Sequence, residues 1–66
     1  MPEFQPDEFT LMALYDTGTR KGLIAVLKEM RPYMDEDETA LQNMTDAVLE
    51  KLDAMTDDQY SELMST

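Results

Sequence analysis

The apolar residues of this chain recur at helical spacing, and no useful length of it alternates with the period of two that marks a strand. The clearest stripe runs through 36–55 and contains Leu41, Met44, Val48, Leu52 and Met55. A second stripe contains Leu23, Val26, Leu27, Met30 and Met34. The sequence therefore predicts an all-α fold, a single domain over 1–66. We expect a small bundle of three main helices plus a short C-terminal helix, at about 6–16, 18–31, 36–55 and 57–64.

Local signals mark where these helices begin and end. Pro6 suits the first position of a helix, because its missing N–H would have no partner there. Pro32 disfavours helical geometry at the residue before it, so the second helix should stop or tighten there. Two capping boxes are predicted, one from Asp35 to Glu38 and one from Thr56 to Gln59. Met55 and Tyr60 flank the second box in the positions of a hydrophobic staple.

The first helix is apolar on nearly every side. Phe9, Met12 and Ala13 share one side, and much of the rest is covered by Leu11, Leu14 and Tyr15. Such a helix either lies centrally or leaves an apolar face for another chain. Met12 is a candidate for that face, as is Met64 in the last helix, and a homodimer remains open.

Acidic residues dominate the charge, and they are unevenly distributed. The net charge of the chain is −10. Residues 1–34 carry a net charge of −1, whereas residues 35–66 carry −9. On the third helix Asp46, Glu50 and Asp53 fall within about 60° of one another, opposite the apolar stripe. With Glu38, these three residues predict an acidic face that binds a basic protein partner. The net charge of the chain makes free nucleic acid and anionic membranes poor partners.

The second helix carries most of the basic residues. They are Arg20, Lys21, Lys28 and Arg31, which lie within about 100° of arc. Ile24 lies in the same row, so it is either covered by the methylene stems of these side chains or exposed as an apolar contact for a partner. The bases themselves either contact DNA phosphates, pair with the acidic third helix or lie in solvent.

Residue types that perform chemistry are scarce. The chain has no His and no Cys, so an ordinary zinc site is excluded and neither catalysis nor a cofactor is expected. A calcium loop counted from Asp35 would need a glycine at its sixth position and a glutamate at its twelfth. It has Ala40 and Asp46 there, so no metal site is predicted. The lack of cysteine and of a signal-like N-terminus favours the cytoplasm.

Several segments together resemble a known family. The resemblance is carried above all by Tyr15, Asp16, Thr17, Gly18, Thr19 and Arg20, with support from Phe9–Met12, Leu23-Ile24, Leu49–Leu52 and Ala54–Asp57. These segments resemble the transposon-transfer assisting proteins, short acidic proteins encoded on conjugative transposons of Gram-positive bacteria. The resemblance implies a small helical domain and an accessory role in transfer of the element. It implies no catalytic or binding residues.

Four hypotheses about function follow. The first is a non-enzymatic adaptor of a conjugative transposon that uses its acidic face to bind a basic protein of the transfer machinery. The second is a DNA mimic that blocks a host DNA-binding enzyme, because acids three and four residues apart on one helix face are spaced loosely like phosphates. The third is a small DNA-binding regulator, and the fourth is a self-associating structural module.

Overall fold

The computed structural model describes residues 3–65, and within that range all regular secondary structure is helical. The elements are α1 (Pro6–Tyr15), α2 (Arg20–Met30), a 3₁₀ helix (Arg31–Tyr33), α3 (Thr39–Ala54) and α4 (Asp57–Met64). The prediction of an all-α fold is confirmed. Helices α1, α2 and α3 each contact the other two, and α4 packs against α2. No helix within the described range is long and apolar enough to cross a bilayer.

The core is formed by apolar side chains from all four helices and the α3–α4 turn. Its buried members are Leu11, Met12, Leu23, Leu27, Val48, Leu52, Met55 and Tyr60. The two predicted stripes supply five of these residues, and Leu41 and Met44 pack against the cluster at its margin. Helix α1 contributes Leu11 and Met12 to this core, so one side of the helix is buried, as expected for a helix in a central position.

The prediction that Met12 contacts a partner is therefore wrong. Its side chain is 0% exposed and lies within the core, so a partner cannot reach it on this fold. The reason is the lack of one clear apolar stripe on α1. With apolar residues on several sides, sequence periodicity could not determine which side faces inward.

Capping explains the start of α1 and the start of α2. Pro6 is the first helical residue of α1, and the Glu8 carboxylate accepts from the Gln5 backbone N–H at 2.6 Å, which forms a capping box that the sequence analysis missed. Helix α2 begins at Arg20 rather than 18, because Gly18 has a φ of +97° and Thr19 is the N-cap. The Thr19 hydroxyl accepts from the Gly22 N–H at 3.0 Å.

The start of α3 differs from the prediction, and the capping box between Asp35 and Glu38 is wrong. The helix begins at Thr39, and the Glu38 side chain makes no cap hydrogen bond. Instead the carbonyl of Asp35 accepts from the Glu38 N–H at 3.0 Å and from the Gln42 side chain at 2.7 Å. This closes the acidic segment into a turn and delays the helix by three residues.

The start of α4 agrees with the sequence. The Thr56 hydroxyl accepts from the Gln59 N–H at 3.1 Å, and the Gln59 side chain accepts from the Thr56 N–H at 2.9 Å. Met55 and Tyr60, the two residues of the predicted staple, are both buried in the same cluster. The second helix also ends as expected, since the chain tightens into the 3₁₀ helix at Arg31 just before Pro32.

Candidate interaction surfaces

The segment Tyr15–Arg20 lies at a corner where four helices meet. The Asp16 carboxylate oxygen Oδ1 accepts from the Gly18 N–H at 2.9 Å and from the Tyr60 hydroxyl at 2.8 Å. The backbone hydrogen bond from Gly18, followed by that from Tyr60, holds the pKa of Asp16 below its ordinary value. Burial of Tyr60, reinforced by its hydrogen bond to Asp16, raises the pKa of the Tyr60 hydroxyl. Asp16 thus joins the α1–α2 loop to α4.

Arg20 makes the second connection at this corner. Its Nη1 donates to the backbone carbonyl of Leu52 at 2.6 Å, and its Nε donates to the Asp57 carboxylate at 2.8 Å. The first acceptor belongs to the last turn of α3, the negative end of the helix dipole, which favours a cation. The second belongs to the first turn of α4. Arg20 therefore joins the turn between α3 and α4 to the start of α2.

Gly22 completes the corner, although it is not among the residues predicted from the sequence. A Cβ atom at this position would overlap the Thr17 hydroxyl oxygen and would lie 2.8 Å from the Thr19 hydroxyl oxygen. The only sequence signal was a glycine one turn inside a helix that has no other glycine. The residues that carry the family resemblance, with Gly22, thus form a packed and hydrogen-bonded corner.

Beside this corner a cleft of about 390 Å³ opens between the start of α2 and α4. Charges of both signs line it, with Arg20 and Lys21 on one side and Asp57 and Asp58 on the other. Arg20 and Asp57 form an ion pair across the cleft. Lys21 and Asp58 take part in no salt bridge of the described structure. The cleft has no strong preference for either sign of charge.

The predicted acidic face of α3 is smaller than expected. Asp46 is paired with Arg31, whose Nε and Nη2 donate to its two carboxylate oxygens at 2.9 and 3.2 Å. These hydrogen bonds hold the pKa of Asp46 below its ordinary value and raise the pKa of Arg31. Asp46 is therefore neutralised within the molecule. Glu38 is the N-cap of α3 and does not extend the row along the helix.

The remaining two members of the row keep their charge on the surface. Glu50 and Asp53 are exposed, and no base within residues 3–65 forms a salt bridge with either. Eight exposed acids of the C-terminal half thus have no salt bridge in this range, since the acidic turn and α4 add Asp35, Glu36, Asp37, Glu38, Asp58 and Glu62. The N-terminal half has four such acids: Glu3, Asp7, Asp16 and Glu29. The negative field therefore comes from the C-terminal half as a whole rather than from one straight row.

Three of the five bases are occupied by contacts inside the fold. Arg20 pairs with Asp57, Arg31 with Asp46, and Lys51 with Glu8. Two of the four bases on the predicted positive face of α2 are thus engaged by acids. Ile24, which lies in the same row, is half-buried and packs against the core, so it offers only part of its surface to a partner.

The pair of Glu8 and Lys51 ties α1 to α3, and local patterns gave no sign of it. Glu8 is 4% exposed, and its Oε1 lies 2.7 Å from the Lys51 ammonium. Burial alone would raise the pKa of Glu8, but the hydrogen bonds from the Gln5 N–H and from Lys51 outweigh it, so that pKa lies below its ordinary value. The Lys51 ammonium also lies 5.4 Å from the centre of the Phe4 ring.

An apolar groove runs between α1 and α3, on a side that no other described element covers. It has a volume of about 300 Å³ and is lined by Asp7, Thr10, Leu11, Leu14, Tyr15, Leu41 and Met44. Leu14, one of the lining residues, is 72% exposed, so the groove presents an apolar side chain to solvent. Helix α1 therefore fits both alternatives predicted for it: one side is buried in the core, and another leaves an apolar face exposed.

Comparison with known proteins assigns the family. A family model described as "Putative transposon-transfer assisting protein" (TTRAP) matches residues 4–65, nearly the whole chain. No match is found among curated proteins or among solved structures. Within residues 3–65 the acidic side chains form no group of three or more arranged to hold a metal ion. The chain belongs to the family of transposon-transfer assisting proteins.

Proposed function

We propose that this protein is a non-enzymatic accessory factor of a conjugative transposon, which acts in the cytoplasm by binding a basic protein of the transfer machinery. The family assignment suggests a role in transposon transfer. The observation that carries the mechanism is the distribution of charge on the folded chain. Three of the five bases are paired internally, whereas Glu50, Asp53 and the acidic turn remain exposed.

This distribution favours a protein partner over nucleic acid. The two bases left outside salt bridges in the described structure, Lys21 and Lys28, are too few to offset a net charge of −10 near a phosphate backbone. A DNA-binding regulator therefore has little support. A DNA mimic needs an extended row of carboxylates, and the pairing of Asp46 with Arg31 shortens the row on α3.

An acidic surface of this kind acts mainly through the rate of association. Opposite charges draw the partners together over several ångströms and orient them before contact, and dissolved salt weakens that attraction. We expect the complex to form rapidly at low ionic strength and to weaken strongly as salt is added.

A paired set of variants tests the proposal on the full chain. The first, Glu50→Gln with Asp53→Asn, removes two exposed charges from α3. The matched control, Glu3→Gln with Glu29→Gln, removes two exposed charges from the N-terminal half. Tagged protein retains partners from the native host, and the partners are compared at low and high salt. We expect the first variant to retain less of a basic partner than the control does.

Two outcomes would contradict the proposal. One is recovery of partners that are indifferent to salt, and the other is equal loss in both variants, which would indicate net charge rather than a surface. A gel-shift assay separates the DNA mimic from the adaptor. A mimic displaces DNA from the recovered partner, whereas an adaptor leaves that DNA bound.

A further inference from the structure

We infer that the groove between α1 and α3 binds one apolar face of a basic amphipathic helix supplied by the partner. This inference rests on the proposed function and deepens it, because it names the structure that the partner presents. It starts from the groove, an apolar surface beside α1 that is open to solvent. Leu14 projects there at 72% exposure, next to Leu11 and Met44, which continue into the core.

The dimensions of the groove suit a helix. Asp7, Leu11 and Leu14 lie three or four residues apart on one side of α1 and span about 10 Å along its axis. That length matches about two turns of a second helix, which would present apolar residues at spacings of three and four. On the opposite wall, Leu41 and Met44 of α3 lie one turn apart.

The charges around the groove indicate the sign of the occupant. Asp7 is the one charged residue among those that line it, and no base lines it. Glu38, the N-cap of α3, precedes the groove residue Leu41 by only three positions in the chain. The other acids of the turn, at 35–37, precede it directly. A helix with Lys or Arg beside its apolar stripe therefore finds carboxylates near the groove.

The negative charge also disfavours a second copy of this chain as the occupant. A homodimer would bring two molecules of net charge −10 together, with their acidic turns close to the contact. Lysine and arginine on a partner helix remove that repulsion, and their methylene stems extend the apolar contact with Leu14.

A designed peptide provides a direct test. The probe is a fluorescein-labelled helix of leucine, lysine and alanine, about 16 residues long, with leucines at positions three and four apart. The comparison peptide has the same composition, but its leucines are spread around the helix. Each is titrated into the full chain by fluorescence anisotropy at low and high salt. The chain is used as wild type, as Leu14→Ser and as Tyr33→Ser.

Tyr33→Ser is the matched control, because Tyr33 is 84% exposed and does not line the groove. Circular dichroism checks that both variants are folded, which their exposure leads us to expect. We expect the amphipathic probe to bind at least about tenfold more tightly than the comparison peptide. Loss of a buried leucine contact should weaken that binding about tenfold in Leu14→Ser, and Tyr33→Ser should bind as the wild type does.

The outcomes separate this inference from the proposed function. Equal, salt-sensitive binding of both peptides, or no effect of Leu14→Ser, overturns the groove and leaves the acidic surface standing. Salt-insensitive binding of the amphipathic probe that Leu14→Ser abolishes supports the groove and contradicts the acidic surface. Failure of both peptides to bind overturns the groove, whereas the acidic surface is decided by retention of the native partner in the paired variants. Sedimentation that shows a dimer dissociated by Leu14→Ser makes a second copy the occupant and overturns the inference.

Discussion

The ion pair between Glu8 and Lys51 allows the sharpest test of the packing of α1. The substitution Glu8→Gln removes the charge but keeps a side-chain oxygen that can accept from the Gln5 N–H, since glutamine also suits this position of a capping box. The variant therefore removes the 2.7 Å ionic contact with Lys51 while the cap of α1 is retained. Because the cap is retained, any loss of stability in the variant comes from the missing ion pair and not from a weakened start of α1.

The size of the effect follows from burial and from the charge. A hydrogen bond to a charged group contributes about 1.5–3 kcal/mol to stability. The Lys51 side chain is still 27% exposed, so we take the low end, about 1.5 kcal/mol. In a domain of this size each kcal/mol shifts Tm by about 4–8 °C, so Glu8→Gln should melt roughly 6–12 °C lower at neutral pH.

The stabilisation by the ion pair should depend on pH, because it requires Glu8 to be ionised. The pKa of Glu8 is lowered in the folded chain from its ordinary 4.5, so the stabilisation is fully present above that pH. It is lost as the pH falls through the lower folded-state pKa. We expect the difference in free energy of unfolding between wild type and Glu8→Gln, measured by urea denaturation, to be largest near pH 7 and to shrink below pH 4.5.

Two controls make this reasoning refutable. Glu50→Gln changes the same residue type on an exposed site without an ionic partner in the described structure, and it should leave Tm nearly unchanged. A double-mutant cycle with Lys51→Gln isolates the coupling between the two side chains. If Glu8→Gln melts with the wild type at pH 7, or if the difference persists unchanged at low pH, the ion pair does not hold α1 in place.

Three further predictions concern the corner and the overall charge. Gly22→Ala should lower the free energy of unfolding in urea denaturation, because crowding of the new Cβ against the Thr17 side chain outweighs the roughly 1 kcal/mol that alanine ordinarily gains over glycine inside a helix, and adding Thr17→Ala should restore part of the loss. A stabilised Gly22→Ala would contradict the crowding. Tyr60→Phe should cost about 1 kcal/mol by removing the hydrogen bond to Asp16, a loss visible in Tm. In the wild type, ultraviolet titration should show this hydroxyl ionising above its ordinary 10.0, with stability falling as the pH rises beyond it. Tm should rise with added salt, which screens repulsion within a chain of net charge −10, and a Tm unmoved by salt would mean that the repulsion is already balanced in the fold.

Features determined by neighbouring residues were predictable from the sequence. The box between Thr56 and Gln59 needs only residues three apart, and it forms as expected. Asp35 and Glu38 have the same spacing, but the Gln42 side chain binds the Asp35 carbonyl and stabilises a turn instead. The side-chain pattern alone could not decide between these two local structures.

Features that depend on distant residues were not predictable. Lys51 lies 43 residues from Glu8, and no local pattern connects them. The sequence allowed the bases of α2 to pair with the acids of α3, but it did not indicate which residues would meet. In the fold Arg31 pairs with Asp46, whereas no base of the described residues forms a salt bridge with Asp53. The sequence singled out the segment Tyr15–Arg20, but the hydrogen bonds that join it to α3 and α4 become visible only in three dimensions.

The hydrogen bonds of Asp16 and Arg20 also bear on how the chain folds as it is synthesised. They reach acceptors and donors that follow 32 to 44 residues later. A nascent chain that has emerged only as far as Ala54 contains three of the described α-helices, but the corner between the first two still lacks Asp57 and Tyr60. Folding should therefore become cooperative late, when α4 arrives, and a fragment that ends before Asp57 should fluctuate among loosely packed helical states.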